Sequence, residues 1–185
     1  MYKHSRFLSV HFLIVSLIWT GCLTYERMRV EIFYNEDFSE GQITISFFNI
    51  NSSEQGQEGQ VKDFDELRQM VEGNDLYFDG LKQGIYVQEI KLWKENSKLN
   101  GSYSGIFRQL NMEDQEMKIQ NNERLIGIKK ENGDRINTNA RVIENEQTFE
   151  LIWPKSERRI WYEIIRLIDQ PVYSLIPLYD KWQKE

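Results

Sequence analysis

The sequence contains very little histidine and cysteine, and the positions of these residues matter as much as their number. Its two histidines, His4 and His11, lie near the N-terminus, and Cys22 is its single cysteine. From residue 23 onward the chain has neither an imidazole nor a thiol. The commonest general base, the commonest metal ligand and the cysteine nucleophile are therefore missing there. We expect no metal site, no cofactor, no disulfide and no enzymatic activity in this part of the chain.

Basic clusters are also missing. The longest runs of positive charge are the pairs Lys129-Lys130 and Arg158-Arg159, and the whole chain has 23 basic against 29 acidic residues. A surface that binds nucleic acid needs a patch of lysine and arginine to neutralise phosphates. We therefore exclude nucleic acid as a partner.

No apolar run is long enough to span a bilayer comfortably, which takes about 20 residues. The longest run, residues 7–19, follows the basic residues Lys3 and Arg6 and precedes Thr20-Gly21-Cys22. A basic start, an apolar core of about 7–15 residues and small residues at the cut are the parts of a secretory signal peptide. The sequence predicts a signal peptide at residues 1–21.

The end of this segment, Thr20-Gly21-Cys22, resembles the lipobox of bacterial lipoproteins, although the family usually has leucine where this chain has Trp19. The resemblance implies cleavage between Gly21 and Cys22 and a lipid, such as palmitate, on Cys22. The protein would then be held in the bacterial cell envelope by this lipid. Leu23 after the cysteine resembles an outer-membrane sorting signal. Cleavage would leave 21 basic and 29 acidic residues, a net charge of −8.

After a predicted lipidated tether at residues 22–26, residues 27–185 are expected to form one β-rich domain. Residues 27–34 and 42–50 alternate between apolar and polar, the period of a half-buried strand, and are expected to pair as a hairpin. Further strands are predicted at 76–78, 85–93, 102–110, 116–120, 123–130, 136–143, 148–153 and 158–167. Asn/Gly turns between them, at residues 79–80, 100–101, 121–122 and 132–133, favour an antiparallel meander, either a small barrel or a sandwich. The clearest hairpin is expected between residues 147–153 and 159–167.

Two helices interrupt this pattern. The first is amphipathic and is predicted over about residues 61–72, after a polar loop at 51–60. Asp63, Asp65 and Glu66 would then lie in its first turns, where acids interact favourably with the helix dipole. A short C-terminal helix is predicted from Ser174.

Aromatic residues make up 13% of the chain. Phe47-Phe48 and Trp161-Tyr162 are the most informative, because neighbours on a strand point to opposite faces. One member of each pair must therefore leave the inner face. Either other elements cover the outer face, or an aromatic patch is exposed for a partner.

The last part of the chain, a polar loop followed by a strand bearing Trp161 and Tyr162, is similar to the ending of small lipocalin-type envelope lipoproteins. This resemblance implies binding of an apolar ligand or of a protein. The first hypothesis is thus a non-enzymatic envelope lipoprotein with one of these partners. The alternatives are a carboxylate-dependent envelope hydrolase and a periplasmic inhibitor or immunity protein. The hydrolase would need an acid with a raised pKa, and the sequence, whose acids cluster at turns and at a helix start, suggests none.

Overall fold

The computed structural model describes residues 22–108, 118–131 and 133–185. The predicted signal peptide, including Gly21, lies outside the described residues. The secondary structure elements, in chain order, are β1 (Leu23–Tyr34), β2 (Glu40–Ser52), α1 (Gln57–Glu72), α2 (Asp75–Lys82), β3 (Ile85–Glu95), β4 (Lys98–Arg108), β5 (Lys118–Gln120), β6 (Glu123–Lys129), β7 (Arg135–Thr138), β8 (Arg141–Glu144), β9 (Thr148–Pro154), β10 (Arg159–Ile165), β11 (Tyr173–Ser174) and α3 (Ile176–Trp182).

The strands form two antiparallel sheets. The first has the order β3-β4-β2-β1-β10-β7, with β11 added beside the end of β2, and the second has the order β5-β6-β9-β8. The prediction of a mainly β, antiparallel fold with a C-terminal helix is confirmed. Of the two predicted architectures, the described strands form sandwich-like open sheets and not a closed barrel.

One hydrophobic cluster joins both sheets and the helices. Alternate residues of β1, such as Val30 and Ile32, lie on the inner face of the first sheet, and Trp153 of β9 lies opposite in the same cluster. Phe64 and Leu67 of α1 also belong to it. Each large side chain buried in this way contributes roughly 1.5–3 kcal/mol relative to exposure. Helices α1 and α3 thus pack on the inner face of the first sheet.

The predicted hairpin between residues 27–34 and 42–50 is confirmed by the pairing of β1 with β2. The β3–β4 turn, however, lies at Asn96-Ser97, which both have positive φ, whereas the predicted turn at Asn100-Gly101 lies inside β4. Gly101 serves close packing instead. A Cβ on this glycine would lie 3.0 Å from Leu92 and 3.2 Å from Ile50.

The hairpin predicted between residues 147–153 and 159–167 is wrong. β9 pairs with β6 and β8, whereas β10 pairs with β1 and β7, so the chain changes sheets between them. Both strands have runs of buried residues because each lies between two other strands of its own sheet. The single strand predicted at 136–143 likewise divides at Asn139-Ala140 into β7 and β8, which belong to different sheets.

The helical predictions need two corrections. Helix α1 begins at Gln57, earlier than the predicted 61. The apolar pattern missed the first turn because residues 57–60 contain no large apolar side chain. Residues 76–78, predicted as a strand, and the predicted turn at Asp79-Gly80 both lie in α2. The C-terminal helix is confirmed at Ile176–Trp182, with Pro177 in its first turn, where proline is tolerated.

Residues 23–26 do not form the predicted tether. Strand β1 begins at Leu23, which pairs with Ser52, and both Leu23 and Tyr25 are buried in the core. The alternation of apolar residues simply extends further toward the N-terminus than the sequence interpretation assumed. Cys22 therefore stands directly at the edge of the folded domain.

Candidate functional site

Cys22 is half-buried and is held by two neighbouring segments, the residues after β2 and helix α1. Its backbone N–H donates to Asp63 Oδ1 at 3.3 Å, and its thiol donates to Glu54 Oε1 at 2.6 Å. Its carbonyl oxygen accepts from the backbone N–H of Ser53 at 2.7 Å and from the Ser53 hydroxyl at 3.0 Å. These bonds fix the direction in which the chain enters β1.

The thiol of Cys22 is not prepared for nucleophilic chemistry. Its hydrogen bond to the Glu54 carboxylate raises its pKa, and burial and the charges of Glu54 and Asp63 act in the same direction. The hydrogen bond to Ser53 opposes this rise without cancelling it. Since the thiolate is the reactive form, the geometry disfavours a cysteine nucleophile at this position.

Asp63 lies on the inner side of α1 and is only 2% exposed. Its Oδ2 accepts from the hydroxyl of Ser52 at 2.5 Å. The interpretation of Asp63 as a helix-start acid is wrong, because α1 begins at Gln57 and Asp63 falls in the second turn. The sequence did contain a signal for this: Asp63 directly precedes Phe64 and lies four residues before Leu67, on the apolar stripe. Asp65 and Glu66 are only half-buried, and they pair with Arg68 and Lys62.

The outer face of the first sheet combines arginines with aromatic rings. Phe47 and Tyr162 are buried in the core, and their neighbours Phe48 and Trp161 lie half-buried on the opposite face, as the alternation predicts. The Phe48 ring meets Trp93 edge-to-face at 6.4 Å. We use the term outer face for this surface of the first sheet, whose central residues are Arg27, Arg29, Phe48, Trp93 and Trp161.

Ion pairs fix the arginines of the outer face over the rings. The Arg29 guanidinium lies 4.8 Å from the Trp161 ring and binds Glu31 at 3.1 Å, and Arg159 binds the same carboxylate. Partial burial acts to raise the pKa of Glu31, but hydrogen bonds from Arg29 and Arg159 outweigh it and the pKa lies below its usual value. Glu31 therefore stays ionised and keeps both guanidinium groups in place.

Toward the end of the sheet that is far from Cys22, the outer face becomes more apolar. Tyr86, Ile106, Gln42 and Phe33 are paired in register across four strands, and Tyr86 and Phe33 are 51% and 50% exposed. We call these four residues the distal row. An exposed aromatic group of this kind is typical of a protein-binding surface.

A cavity in the described part of the core, in contrast, is small. An apolar cavity between β1, β2 and α1 has a volume of about 40 Å³ and is lined by residues that include Tyr25, Phe47 and Met70. Pockets for small molecules usually measure about 300–1,000 Å³. This cavity therefore does not support binding of a sizeable apolar ligand.

An open polar cleft of about 670 Å³ lies beside the ends of β6 and β10, lined by Lys130, Glu131, Gly133, Asp134, Arg135, Glu146, Ile165, Arg166 and Leu167. Burial raises the pKa of Asp134, which the sequence did not suggest. Its Oδ2 accepts from the backbone N–H of Glu131 at 3.1 Å, and its own N–H donates to the Glu131 carbonyl at 3.1 Å. These reciprocal bonds close a turn, which gives Asp134 a structural role.

Within the described part of the chain, no three histidine, cysteine or acidic side chains lie together so that they could hold a metal ion. No helix in this part is long and apolar enough to cross a membrane. Comparisons with protein-family models, curated proteins and solved structures find no match to this chain. Its function must therefore be inferred from the chemistry of its own surfaces.

Proposed function

We propose that the chain is a bacterial envelope lipoprotein, anchored by a lipid on Cys22, whose β domain binds a protein partner through the outer face and has no catalytic activity. The observation on which this rests is a contrast. The apolar cavity between β1, β2 and α1 measures only about 40 Å³, whereas Phe48, Trp93 and Trp161 are only half-buried on the outer face.

The anchor is supported by the residues before Cys22 and by the position of this cysteine. Its thiol lies at the domain edge, at the first residue before β1. A lipid there would hold the domain close to the bilayer without a spacer. Phe33 lies eleven residues after Cys22 along β1, which corresponds to about 36 Å. The distal row would thus point away from the membrane, toward other envelope proteins. Leu23, which follows the cysteine, resembles an outer-membrane sorting signal, so we propose that the lipid lies in the outer membrane.

The chemistry of the outer face fits a protein partner. Arginine, tryptophan, tyrosine and phenylalanine are enriched in the centres of protein interfaces. Arg27 and Arg29 already lie over aromatic rings with their charges paired to glutamates. Such a surface is preorganised and loses little side-chain entropy on binding.

Site-directed photocrosslinking in cells tests this function. A photoreactive residue at Ile106, in the distal row, is expected to give one discrete crosslinked protein. A matched residue at Gln147, which is exposed beside the second sheet, is expected to give none. Equal crosslinking at both positions, or none at Ile106, would contradict a specific interface on the outer face. Labelling with a fatty-acid analogue tests the anchor separately.

The polar cleft favours a second candidate, a carboxylate-dependent hydrolase of envelope glycans. It is much larger than the apolar cavity between β1, β2 and α1, and Asp134 has the raised pKa that a general acid needs. A glycosidase also needs a second carboxylate facing the first, and Asp134 is engaged in its own turn. We therefore place this candidate second.

A further inference from the structure

Among the described residues three carboxylates are buried, those of Asp63, Asp134 and Glu163, and Asp134 is bonded to the backbone of its own turn. Glu163 is 6% exposed and binds Arg27 at 3.2 Å. Asp63 is 2% exposed, yet among the described residues no lysine or arginine forms an ion pair with it. Burying an ionised carboxylate is costly unless a cation or several hydrogen bonds compensate it. The structure thus contains a buried acid whose natural partner, a cation, is missing from the side chains.

The nearest candidate for that cation is a backbone atom. The nitrogen of Cys22 lies 3.3 Å from Asp63 Oδ1, and the hydroxyl of Ser52 occupies Oδ2. Glu54 adds a second carboxylate on the other side of Cys22 and has no cationic partner among the described residues either. Two negative groups therefore converge on one residue, and the bonds from Ser53 to its carbonyl direct its nitrogen toward Asp63.

We propose that Asp63 is a buried receptor for the α-ammonium group that cleavage creates on Cys22. This inference rests on the proposed function, since it requires cleavage between Gly21 and Cys22. Hydrolysis of that peptide bond gives the Gly21 carboxylate and a primary amine on Cys22, which takes up a proton at neutral pH. The amine then gains a positive charge at hydrogen-bond distance from Asp63.

The site distinguishes three chemical states of the Cys22 nitrogen. In the uncleaved chain it is an amide with one neutral N–H, and after N-acylation it is again an amide with one neutral N–H. Only the free amine offers a charge to Asp63, and charge-assisted hydrogen bonds are roughly twice as strong as neutral ones. The folded domain therefore favours the cleaved chain with a free α-amine. A protonated amine is also a poor nucleophile, so folding protects it from acylation.

The groups that face the amine define its pH dependence. They are the thiol of Cys22, which becomes a thioether on lipidation, Glu54 from the segment after β2, and Asp63 from α1. We expect these neighbouring carboxylates to favour the protonated amine and hence to raise its pKa above the usual value of about 7.7–8.0. The extra stability of the free-amine form is therefore fully present below about pH 7.7 and is lost as the pH rises through the folded-state pKa.

The test compares the processed full chain from two expression hosts, one with and one without the enzyme that N-acylates lipoproteins. Mass spectrometry of the detergent-extracted protein gives the state of the Cys22 nitrogen. At pH 7 we expect the free-amine form to melt at least about 3 °C higher than the N-acylated form, since a stability change of 1 kcal/mol shifts Tm by about 2–4 °C at this size. In Asp63→Asn this difference should disappear. In the control Glu163→Gln both forms should melt lower, and the difference between them should persist.

The outcomes separate this inference from the proposed function. If mass spectrometry shows no cleavage at Cys22, the lipoprotein proposal fails and this inference fails with it. If cleavage occurs and the two forms melt alike, only the role of Asp63 is overturned. If Asp63→Asn does not fold, NMR titration of the ¹⁵N-labelled α-amine in the unmutated chain decides. A pKa above 8 supports the receptor, and a value within or below the usual range overturns it.

Discussion

The guanidinium of Arg27 lies 4.1 Å from the centre of the Phe48 ring and binds the carboxylate of Glu163 at 3.2 Å. One side chain of β1 thus joins an aromatic of β2 to an acid of β10, across three neighbouring strands. Glu163 also accepts from the side-chain amide of Asn137 at 3.2 Å. This relationship stabilises the outer face and holds the Phe48 ring in a fixed orientation.

Replacing Arg27 is expected to destabilise the domain through Glu163. Arg27→Ala leaves a 6% exposed carboxylate with one neutral hydrogen bond, and an unsatisfied buried charged group costs on the order of 2 kcal/mol. Urea denaturation measures the loss. The double variant Arg27→Ala, Glu163→Gln should recover part of it, because the charge that lacks a partner is then gone. An additive double variant would contradict the coupling between these two residues.

Replacing Tyr103, in contrast to Arg27, is expected to stabilise the domain. Its ring is buried on the inner face, and its hydroxyl has no hydrogen-bond partner in the described structure. Tyr103→Phe is therefore expected to keep the packing and to remove an unsatisfied polar atom, which raises the free energy of unfolding by about 1 kcal/mol. Tyr162→Phe, another buried tyrosine whose oxygen is not among the unsatisfied atoms, serves as a control and should not raise it. Loss of stability in Tyr103→Phe would show that the hydroxyl has a partner.

The secondary structure of the N-terminal hairpin followed from alternation alone, because each strand has one buried face and one solvated face. The pairing of β9 and β10 with distant strands did not. Ile160 to Ile164 and Leu151 to Trp153 give the same apolar pattern whether the two strands pair with each other or with separate neighbours. A sequence pattern reports burial, whereas strand partners depend on contacts between distant segments.

In the candidate sites, too, local patterns could be interpreted from the sequence, whereas features that depend on the position of an element in the fold could not. Lipidation of Cys22 stays a prediction from a local motif, whereas the separation of Phe48 from Phe47 followed from strand geometry. Asp63 was misinterpreted because the first turn of α1 is entirely polar and looked like a loop. The boundary of the helix, not the residue type, decided whether Asp63 was a solvent-exposed acid or a buried one.

Alkaline pH is expected to unfold the domain through its buried tyrosines. Burial raises the pKa of Tyr25 to about 12, partly offset by the Arg166 guanidinium 4.7 Å from its ring. A raised pKa means that stability is present below the unfolded value of about 10 and falls as the pH rises from 10 toward 12. The rise in the pKa of Tyr25 from 10 to about 12 corresponds to a loss of free energy of unfolding on the order of 2–3 kcal/mol over this pH range. Circular dichroism against pH should show a later transition for Tyr25→Phe, and an unchanged midpoint would contradict this assignment.

Replacing Cys22 should separate anchoring from folding. Cys22→Ala removes the only sulfur that could receive a lipid, while the domain loses just one half-exposed hydrogen bond to Glu54. We expect the variant to leave the detergent phase and to melt within about 2 °C of the N-acylated parent, whose residue-22 nitrogen is also a neutral amide, since surface substitutions usually change stability by less than 0.5 kcal/mol. Glu54→Gln is the matched control, which should remain in the detergent phase. A Cys22→Ala protein that still incorporates a fatty-acid analogue would refute lipidation at this residue.

Replacing Asp134 tests whether the protein is a binding protein or a hydrolase. Asn at this position can still accept from the Glu131 N–H, so Asp134→Asn should preserve the turn that lines the polar cleft. Because burial raises the pKa of Asp134, its contribution to folding also favours the neutral form, which the amide imitates. We therefore expect the variant to be as stable as the parent below the unfolded pKa of about 3.9 and slightly more stable than the parent at neutral pH. The purified parent is expected to hydrolyse neither peptidoglycan nor glycosides. Turnover by the parent that is lost in Asp134→Asn, with folding intact and with Glu146→Gln as a control from the same cleft, would show that the cleft is an active site.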